Sequence, residues 1–188
     1  MKKYQIIYAD PPWSYNDKMG DDSAFMSASS SYKTQDLKWI KSLKVNEIAD
    51  KDCVLFIWAV SPLLPEAFEV IKSWGFKYKT LAFCWSKNTR HKLKVANMGR
   101  WTMGNVELCL LATKGKPKRD IKNIRQLVEE QRTAHSKKPP MVRKRIVELM
   151  GDIPRIELFA RKEDTLFELQ DWNGWDVWGN EVKSDIKL

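Results

Sequence analysis

The chain has few of the residues that build redox and metal sites. It contains three cysteines and two histidines among 188 residues, and their spacing matches no metal-ligand motif. Cys53, Cys84 and Cys109 each lie in an apolar run, which predicts buried free thiols in a reducing compartment. We interpret His91 and His135 as surface residues. We therefore expect neither a metal nor a nucleophilic cysteine in the site.

Long apolar runs are also missing. No stretch approaches the roughly 20 residues of a membrane span, and the N-terminal Met1-Lys2-Lys3 leads into a strand without the apolar core of a signal peptide. No Gly-x-Gly-x-x-Gly follows the first or the last predicted strand, so we expect no dinucleotide-type phosphate cradle. The sequence predicts a cytoplasmic protein without a membrane partner, folded as one domain over residues 1–188.

Basic residues, in contrast, are abundant. Lys and Arg outnumber Asp and Glu by 33 to 24, which gives a net charge of +9 and a pI near 9.4. The basic residues cluster in 87–100, 114–125 and 137–145. This pattern favours a polyanionic partner, for which nucleic acid is the obvious candidate, although a solvated basic surface would look the same.

The most informative segment is Asp10-Pro11-Pro12-Trp13. It follows an apolar run, residues 4–9, that is typical of a buried strand. Two prolines cannot continue a strand, so the chain must leave the sheet at Asp10. Ligands bind at this end of the strands in open α/β sheets. The segment places a carboxylate, two rigid carbonyls and an aromatic ring there, although a simple proline-rich turn is the alternative.

These groups suit the activation of a nucleobase amine. The lone pair of an exocyclic amine is delocalised into the ring, so the amine is a poor nucleophile. Asp10 Oδ and the Pro11 carbonyl could each accept a hydrogen bond from one N–H group of the amine and so favour a tetrahedral nitrogen. Those hydrogen bonds would strengthen as positive charge develops. Trp13 could stack on the base, a contact worth ~1–3 kcal/mol.

The remaining pattern alternates strands with helices. This predicts a Rossmann-like α/β fold, with a mostly parallel sheet and helices on both faces. Thr34 is predicted to cap a helix over 35–42, and Ser61 a helix that ends at Gly75. A helix is expected over 139–150. Segment 121–131 is ambiguous, and we favour a strand. The other strands are expected over 53–60, 77–85, 106–113 and 155–160, followed by a tryptophan-rich tail.

Two segments lack periodicity. We predict mobile active-site or substrate loops at 14–33 and 86–104, the first as a lid over a bound base. No separate target-recognition domain is evident. Sequence recognition would therefore fall to these loops, to 115–135 or to a second subunit, and we expect short or weak target specificity. A homodimer is also possible.

Seven motifs occur in one order along the chain. They are Asp10–Trp13, Leu55–Trp58, Trp85–Asn88, the stretch from Asn105-Val106-Glu107 to Lys114-Gly115, His135–Pro139, Ile156–Arg161 and Gly179-Asn180-Glu181. In this order they resemble the adenine methyltransferase family that contains the catalytic subunit of the mRNA adenosine methyltransferase and bacterial and phage enzymes. The resemblance spans about residues 4–182. It implies methyl transfer from S-adenosylmethionine to the 6-amino group of adenine, yielding S-adenosylhomocysteine, in a Rossmann-like fold with circularly permuted motifs.

The resemblance also implies roles for single residues. Asp10, Pro11, Pro12 and Trp13 would form the catalytic segment. Cofactor contacts would come from Asp10, Lys138, Glu157, Phe159, Arg161, Asn180 and Glu181; Lys138 would face the methionine carboxylate, and Arg161 and Asn180 the ribose. The acceptor pocket would be lined by Trp13, Trp58, Trp85, Lys87, Asn88 and Glu107. Larger relatives carry an N-terminal extension that contacts the cofactor adenine, and nothing visible here replaces it.

Each residue taken singly has a simpler explanation. Trp58 and Trp85 end apolar strands and could be core residues, Lys138 could be solvated, and Asn180 could belong to a turn. Glu107 is harder to explain, because a buried carboxylate needs a partner. The order of the motifs favours the functional interpretation over these simpler ones, and our hypothesis is a DNA adenine methyltransferase of a bacterium or phage. The alternatives are an RNA acceptor, a glutamine amide of a protein, and a catalytically silent subunit that binds nucleic acid.

Overall fold

The computed structural model describes residues 2–14, 35–88, 101–131, 137–161 and 173–188. The described residues form a seven-stranded sheet with helices on both faces. The strands are β1 (Tyr4–Ala9), β2 (Ala49–Ala59), β3 (Lys77–Asn88), β4 (Val106–Lys114), β5 (Leu127–Gln131), β6 (Arg155–Leu158) and β7 (Trp175–Trp178). The helices are α1 (Leu37–Ser42), α2 (Val45–Ile48), α3 (Leu64–Ser73) and α4 (Pro140–Met150).

The sheet is mostly parallel, as predicted. Its strand order is β5-β3-β4-β2-β1-β6-β7, and only β4 runs antiparallel to its neighbours. The central strand β1 pairs with β2 on one side and β6 on the other, with Tyr8 opposite Phe56 and Glu157. The carboxyl ends of six strands and the amino end of β4 therefore meet at one edge, which we call the site edge.

Helices cover both faces of the sheet. Alternate side chains of β1 point to opposite faces, so each face of this strand packs against a different set of helices. Ile7 packs in the cluster that contains Ile40 of α1 and Val70 of α3. Tyr8 packs in the second cluster with Val142 and Ile146 of α4. The apolar spacing predicted for the helix over 139–150 is thus confirmed, and this face fixes α4 beneath the site edge.

Two helix starts differ from the prediction. The N-cap of α1 is Asp36, whose side chain accepts a hydrogen bond of 2.6 Å from Trp39 N. The prediction of Thr34 as the cap is therefore wrong, since Asp36 stands at the favoured capping distance from Trp39. Ser61 does not cap α3, because Ser61–Leu63 form a 3-10 turn and α3 begins at Leu64. The predicted stop at Gly75 is confirmed by its φ of 82°.

The strand bounds also differ. β3 extends to Asn88 and so enters the predicted loop 86–104, because Lys87 N donates to Asn105 O at 3.2 Å and the strand pairs with β5. In the ambiguous segment 121–131, only Leu127–Gln131 is a strand. β6 ends at Leu158, and Phe159 adopts a φ of 63°.

Several sequence predictions fall elsewhere. Cys53 and Cys109 are buried, but Cys84 is partly exposed, so the prediction of burial is wrong for this thiol on β3. No helix within the described ranges is long and apolar enough to cross a membrane. Loop 14–33 beyond residue 14, residues 89–100 of the second loop, His91 and His135 lie outside the described residues.

Candidate active site

Asp10 leaves the site edge directly after β1. Its backbone N donates a long hydrogen bond of 3.5 Å to Leu158 O of the adjacent β6. The Pro11 carbonyl accepts from Trp13 N at 2.8 Å, and the Pro12 carbonyl accepts from Gln35 N at 3.0 Å. Because a carbonyl oxygen has two lone pairs, Pro11 O keeps one for another donor. The double proline is thus held in a tight turn in which each carbonyl accepts one backbone hydrogen bond.

Trp13 is fixed within the core. Its side chain is only 6% exposed, and its Nε1 donates to Trp58 O at 3.0 Å. Trp58 Nε1 in turn donates to Tyr8 Oη at 2.6 Å. These hydrogen bonds join the Asp10–Trp13 segment to β2 and β1. Most of the Trp13 ring surface is therefore covered here, and its stacking on a base stays a prediction.

Four charged side chains from four parts of the chain meet beside this turn. We call Asp10, Lys87, Glu107 and Lys138 the charged cluster. Lys138 Nζ lies 2.8 Å from Asp10 Oδ2 and 3.4 Å from Glu107 Oε2. Lys87 Nζ forms a short ion pair with the other oxygen of Glu107. The expected partner of Glu107 is thus provided by two lysines, and the two acids and two bases balance in charge.

Burial and pairing set the protonation of this cluster. Burial raises the pKa of the Asp10 carboxyl, and the Lys138 ammonium only partly opposes this shift. Burial also disfavours the ionised form of Glu107, but Lys138 and Lys87 outweigh it and lower the pKa of Glu107. Although burial works against its charge, the pKa of Lys138 is raised because two carboxylates face it. Lys138 is therefore held as an ammonium between two acids.

Two tryptophans form an aromatic wall against the cluster. The rings of Trp58 and Trp85 lie 6.5 Å apart at 73°. Lys138 Nζ stands 5.5 Å from the Trp58 ring centroid, and Lys87 Nζ 5.3 Å from that of Trp85. The structure thus brings together four of the residues predicted for the acceptor pocket: Trp58, Trp85, Lys87 and Glu107. Both rings are more than 95% buried, so the simpler core interpretation is also correct.

A cavity of about 290 Å³ opens on the other flank of the Asp10–Trp13 segment, at the ends of β1, β6 and β7. Aromatic rings, one guanidinium, one amide and two carboxylates surround it. It is lined by Asp10, Pro12, Trp39, Phe159, Ala160, Arg161, Trp178, Gly179, Asn180 and Glu181. Five of the residues predicted to contact a cofactor therefore share one cavity: Asp10, Phe159, Arg161, Asn180 and Glu181.

Glu157 and Lys138, also predicted to contact the cofactor, have other neighbours. Glu157 on β6 forms a two-pronged ion pair with Arg143 of α4, with Arg143 Nε 2.5 Å and Nη2 3.1 Å from its two oxygens. Among the described residues, neither Glu157 nor Lys138 lines the cavity. Lys138 instead bridges Asp10 and Glu107. Their contact with a cofactor stays a prediction.

Sequence reasoning missed several residues of this region. Arg143 stands in the buried stripe of α4 between Val142 and Ile146, and a charge at such a position signals a buried partner. Gly179 approaches Ala160 so closely that a Cβ there would lie 2.3 Å from Ala160 O. Trp39 and Trp178 stack at 6.5 Å against the cavity. The abundance of tryptophan in the tail was the only visible signal for Trp178.

The cavity suits S-adenosylmethionine in its chemistry. Aromatic walls match an adenine or sulfonium, and Arg161, Asn180 and Glu181 supply charge and hydrogen bonds for ribose and amino-acid groups. The glycine at 179 lets the end of β7 pack on Ala160 and shape the wall. Within the described ranges, no three His, Cys, Asp or Glu residues cluster as metal ligands.

Fold and site together define a Rossmann-like α/β domain, with a ligand cavity and a charged, aromatic pocket that meet at Asp10. The family model described as MT-A70 matches residues 4–181. The chain therefore belongs to the MT-A70 family and is a methyltransferase. It is also 39% identical over 197 residues to the Type II methyltransferase M.MunI of Mycoplasma sp, an alignment covering 96% of this chain and 78% of that protein.

Proposed function

We propose that the protein transfers a methyl group from S-adenosylmethionine to the 6-amino group of adenine in DNA. The position of Asp10 is the observation that carries this proposal. Asp10 is one of the residues that line the cavity, and its side chain pairs with Lys138 in the charged cluster. A carboxylate shared by two adjoining pockets can hold an acceptor amine next to a bound methyl donor, which is the positioning that direct transfer needs.

Asp10 and Pro11 would act as the two acceptors for the amine. The Asp10 carboxylate would accept a hydrogen bond from one N–H group of the amine, and the remaining lone pair of Pro11 O would accept one from the other. Bound S-adenosylmethionine supplies an electrophilic methyl group. The amine nitrogen would take this methyl group, S-adenosylhomocysteine would leave, and the nitrogen would lose one proton to water. Asp10 stabilises the positive charge that develops on nitrogen, and this gain exists mainly in the transition state.

Lys138 would exchange partners when the site fills. In this structure its ammonium neutralises Asp10 at 2.8 Å. With the site filled, the acceptor amine would bind Asp10, and the methionine carboxylate of the cofactor would bind Lys138. Arg161, Asn180 and Glu181 would hold the ribose and its surroundings, with Phe159 against an apolar part. Glu157 is retained as a candidate contact through the end of β6.

Trp58, Trp85, Glu107, Lys87 and Asn88 would form the acceptor side. Asn88 Oδ1 is buried without a hydrogen-bond partner among the described residues. Such an acceptor costs free energy unless a ligand donor reaches it. With Trp13 flanking it, an adenine taken out of its stack would meet aromatic surface on this side and Asp10 at its amine.

DNA is the favoured acceptor on two grounds. The net charge of +9 fits a polynucleotide, and the relative in Mycoplasma sp carries the designation Type II methyltransferase. The cytoplasm of a bacterium or an infected cell would supply both substrates. RNA remains the alternative acceptor, because the same pocket would take adenine from either polymer.

One experiment tests the proposal. The protein is incubated with methyl-labelled S-adenosylmethionine and with matched single- and double-stranded DNA and RNA, and the digested nucleosides are identified. We expect label in N6-methyladenine from DNA. Label only in RNA would support the alternative acceptor. Label in a protein glutamine, or cofactor that fails to bind in calorimetry, would overturn the proposal in favour of the other candidates.

The Asp10→Asn and Asp10→Ala variants test the mechanism. Removal of one charge-assisted acceptor from a pre-organised site lowers kcat by about 100- to 1,000-fold. We expect both variants to lose this much activity. Lys77→Ala is a control, because this exposed residue begins β3 at the edge of the sheet opposite the site and lies outside the three basic clusters. A near wild-type kcat for Asp10→Ala would exclude the assigned role of this carboxylate.

A further inference from the structure

An exposed apolar segment precedes β4 at the site edge. Trp101 is 97% exposed and Met103 is 59% exposed. Val106, at the start of β4, is 39% exposed. A fully exposed tryptophan is unusual, because this side chain is mostly buried on average. None of these residues lines the cavity or belongs to the charged cluster, so the chemistry described above leaves them without a role.

The segment lies close to the acceptor side. Asn105 O accepts from Lys87 N at 3.2 Å, and Val106 pairs with Ser86 in the sheet. Met103 precedes Glu107 by four residues, and Trp101 precedes Glu107 by six. An extended chain spans at most about 3.5 Å per residue, so their Cα atoms lie within ~14 Å and ~21 Å of that of Glu107. Both residues are thus tethered on the acceptor side of the site edge, close to the start of β4.

The charge around this segment fits a polynucleotide. Between Ser86 and Gly104 the sequence has five Lys or Arg residues and no Asp or Glu. Lys87 from this stretch reaches the charged cluster. Basic residues would attract phosphates, while Trp and Met offer no charge to pair with them. Apolar side chains inserted between base steps are a known means of unstacking DNA.

We propose that Trp101 and Met103 form an apolar wedge that enters the base stack of duplex DNA beside the target adenine and helps to extrude it. This inference rests on the proposed function. Extruding a base costs free energy because its stacking and pairing are lost, and a ring that replaces the lost stacking offsets part of that cost. Trp101 supplies the ring, and Met103 fills the adjacent space with a flexible apolar chain.

The test compares duplex and single-stranded DNA. We expect Trp101→Ala to lower the ratio of kcat/KM on duplex to kcat/KM on the same single strand about 10-fold or more, the loss of one stacking contact. Trp101→Phe should restore most of that ratio. The matched control is Phe68→Ala: Phe68 is 40% exposed and packs at 4.9 Å on Tyr78, near the start of β3 and so at the opposite edge.

A second measurement reports extrusion without turnover. A duplex with 2-aminopurine at the target position fluoresces when that base leaves the stack. We expect wild-type protein to raise this signal and Trp101→Ala to lose most of the increase. An equal signal and an unchanged activity ratio would overturn the wedge and leave the methyltransferase proposal intact. Wild-type protein that methylates no DNA overturns both, whereas a Trp101→Ala change in sedimentation alone would identify a surface for a second copy of the chain.

Discussion

The ion pair between Arg143 and Glu157 provides a sharp prediction about stability. The pair joins the middle of α4 to β6, and the side chains of both residues are 9% exposed. Arg143→Met keeps an apolar stem of similar length but leaves the buried Glu157 carboxylate without its two-pronged partner. Breaking a buried ion pair from one side costs about 3–5 kcal/mol. For a domain of this size, each 1 kcal/mol shifts Tm by about 2–4 °C, so Tm should fall by about 6–20 °C.

The assay is thermal and urea unfolding, followed by circular dichroism. Lys144→Met is the matched control on the same helix, because Lys144 is exposed and its replacement should change stability by less than about 0.5 kcal/mol. The double variant Arg143→Met with Glu157→Leu should recover most of the loss, since it removes both charges. A Tm within about 2 °C of wild type for Arg143→Met would refute the reasoning.

The same pair separates two roles of Glu157. If Glu157 only supports α4, Glu157→Gln lowers the free energy of unfolding and changes the Kd for S-adenosylmethionine little at a temperature where the variant is folded. If it contacts the cofactor as the family resemblance implies, the Kd rises in calorimetry even where stability is preserved. The ratio of the two effects assigns the residue.

Two further predictions follow from the same structure. Gly179→Ala and Gly115→Ala should each destabilise the fold by about 1–3 kcal/mol, because a Cβ would lie 2.3 Å from Ala160 O in the first variant and 2.1 Å from Lys51 O in the second. In calorimetry, only Gly179→Ala should also lose cofactor affinity, by at least ~10-fold. Equal cofactor affinities of the two variants would contradict the assignment of the cavity. The pKa of Glu107 in the folded state lies below its ordinary 4.5, so the stabilising effect of its carboxylate is present above pH 4.5 and is lost as the pH falls through the folded-state pKa. Urea unfolding should therefore show that the stability advantage of wild type over Glu107→Gln shrinks in acid. An advantage that stays constant with pH would refute this prediction.

Local patterns predicted much of the fold. The apolar run of β1 and the two prolines after it gave the strand end correctly, because both effects act within a few residues. The same holds for the end of α4, which was predicted at residue 150 and is followed by Gly151 with a φ of 86°. Mostly parallel pairing followed from the alternation of strands and helices. The antiparallel β4 was not predicted, since the apolar run Val106–Thr113 has the same pattern in either direction.

The misses have physical causes that lie outside the local sequence. Thr34 and Asp36 are both good capping residues, and only the position of Trp39 N selects Asp36. Lys87 was assigned to a loop because segment 86–104 lacks periodicity, but pairing with β4 and β5 extends β3 to Asn88, and Lys87 pairs there with Glu107. Arg143 and Glu157 lie 14 residues apart on different elements, so their pairing depends on how α4 packs against the sheet.

The site residues were predicted as a set, although their contacts were not. Motif order supplied Asp10, Lys138 and Glu107, and the structure adds that one ammonium bridges the two acids. Trp13 illustrates the limit of local reasoning. Its place beside Asp10 suggested an open aromatic face, whereas tertiary packing buries the ring against Trp58 O.

The span of the site along the chain affects how the protein can be made. Asp10 and Lys138 are 128 residues apart in sequence, and the cavity walls come from α1 and from residues as late as Glu181. A chain emerging from the ribosome therefore cannot assemble the cavity until its last strand is free. Until then the edge of β6 stays without β7, and such unpaired edges favour association between chains. Cofactor binding would thus report that the whole sheet has closed, and it would draw late intermediates toward the native state.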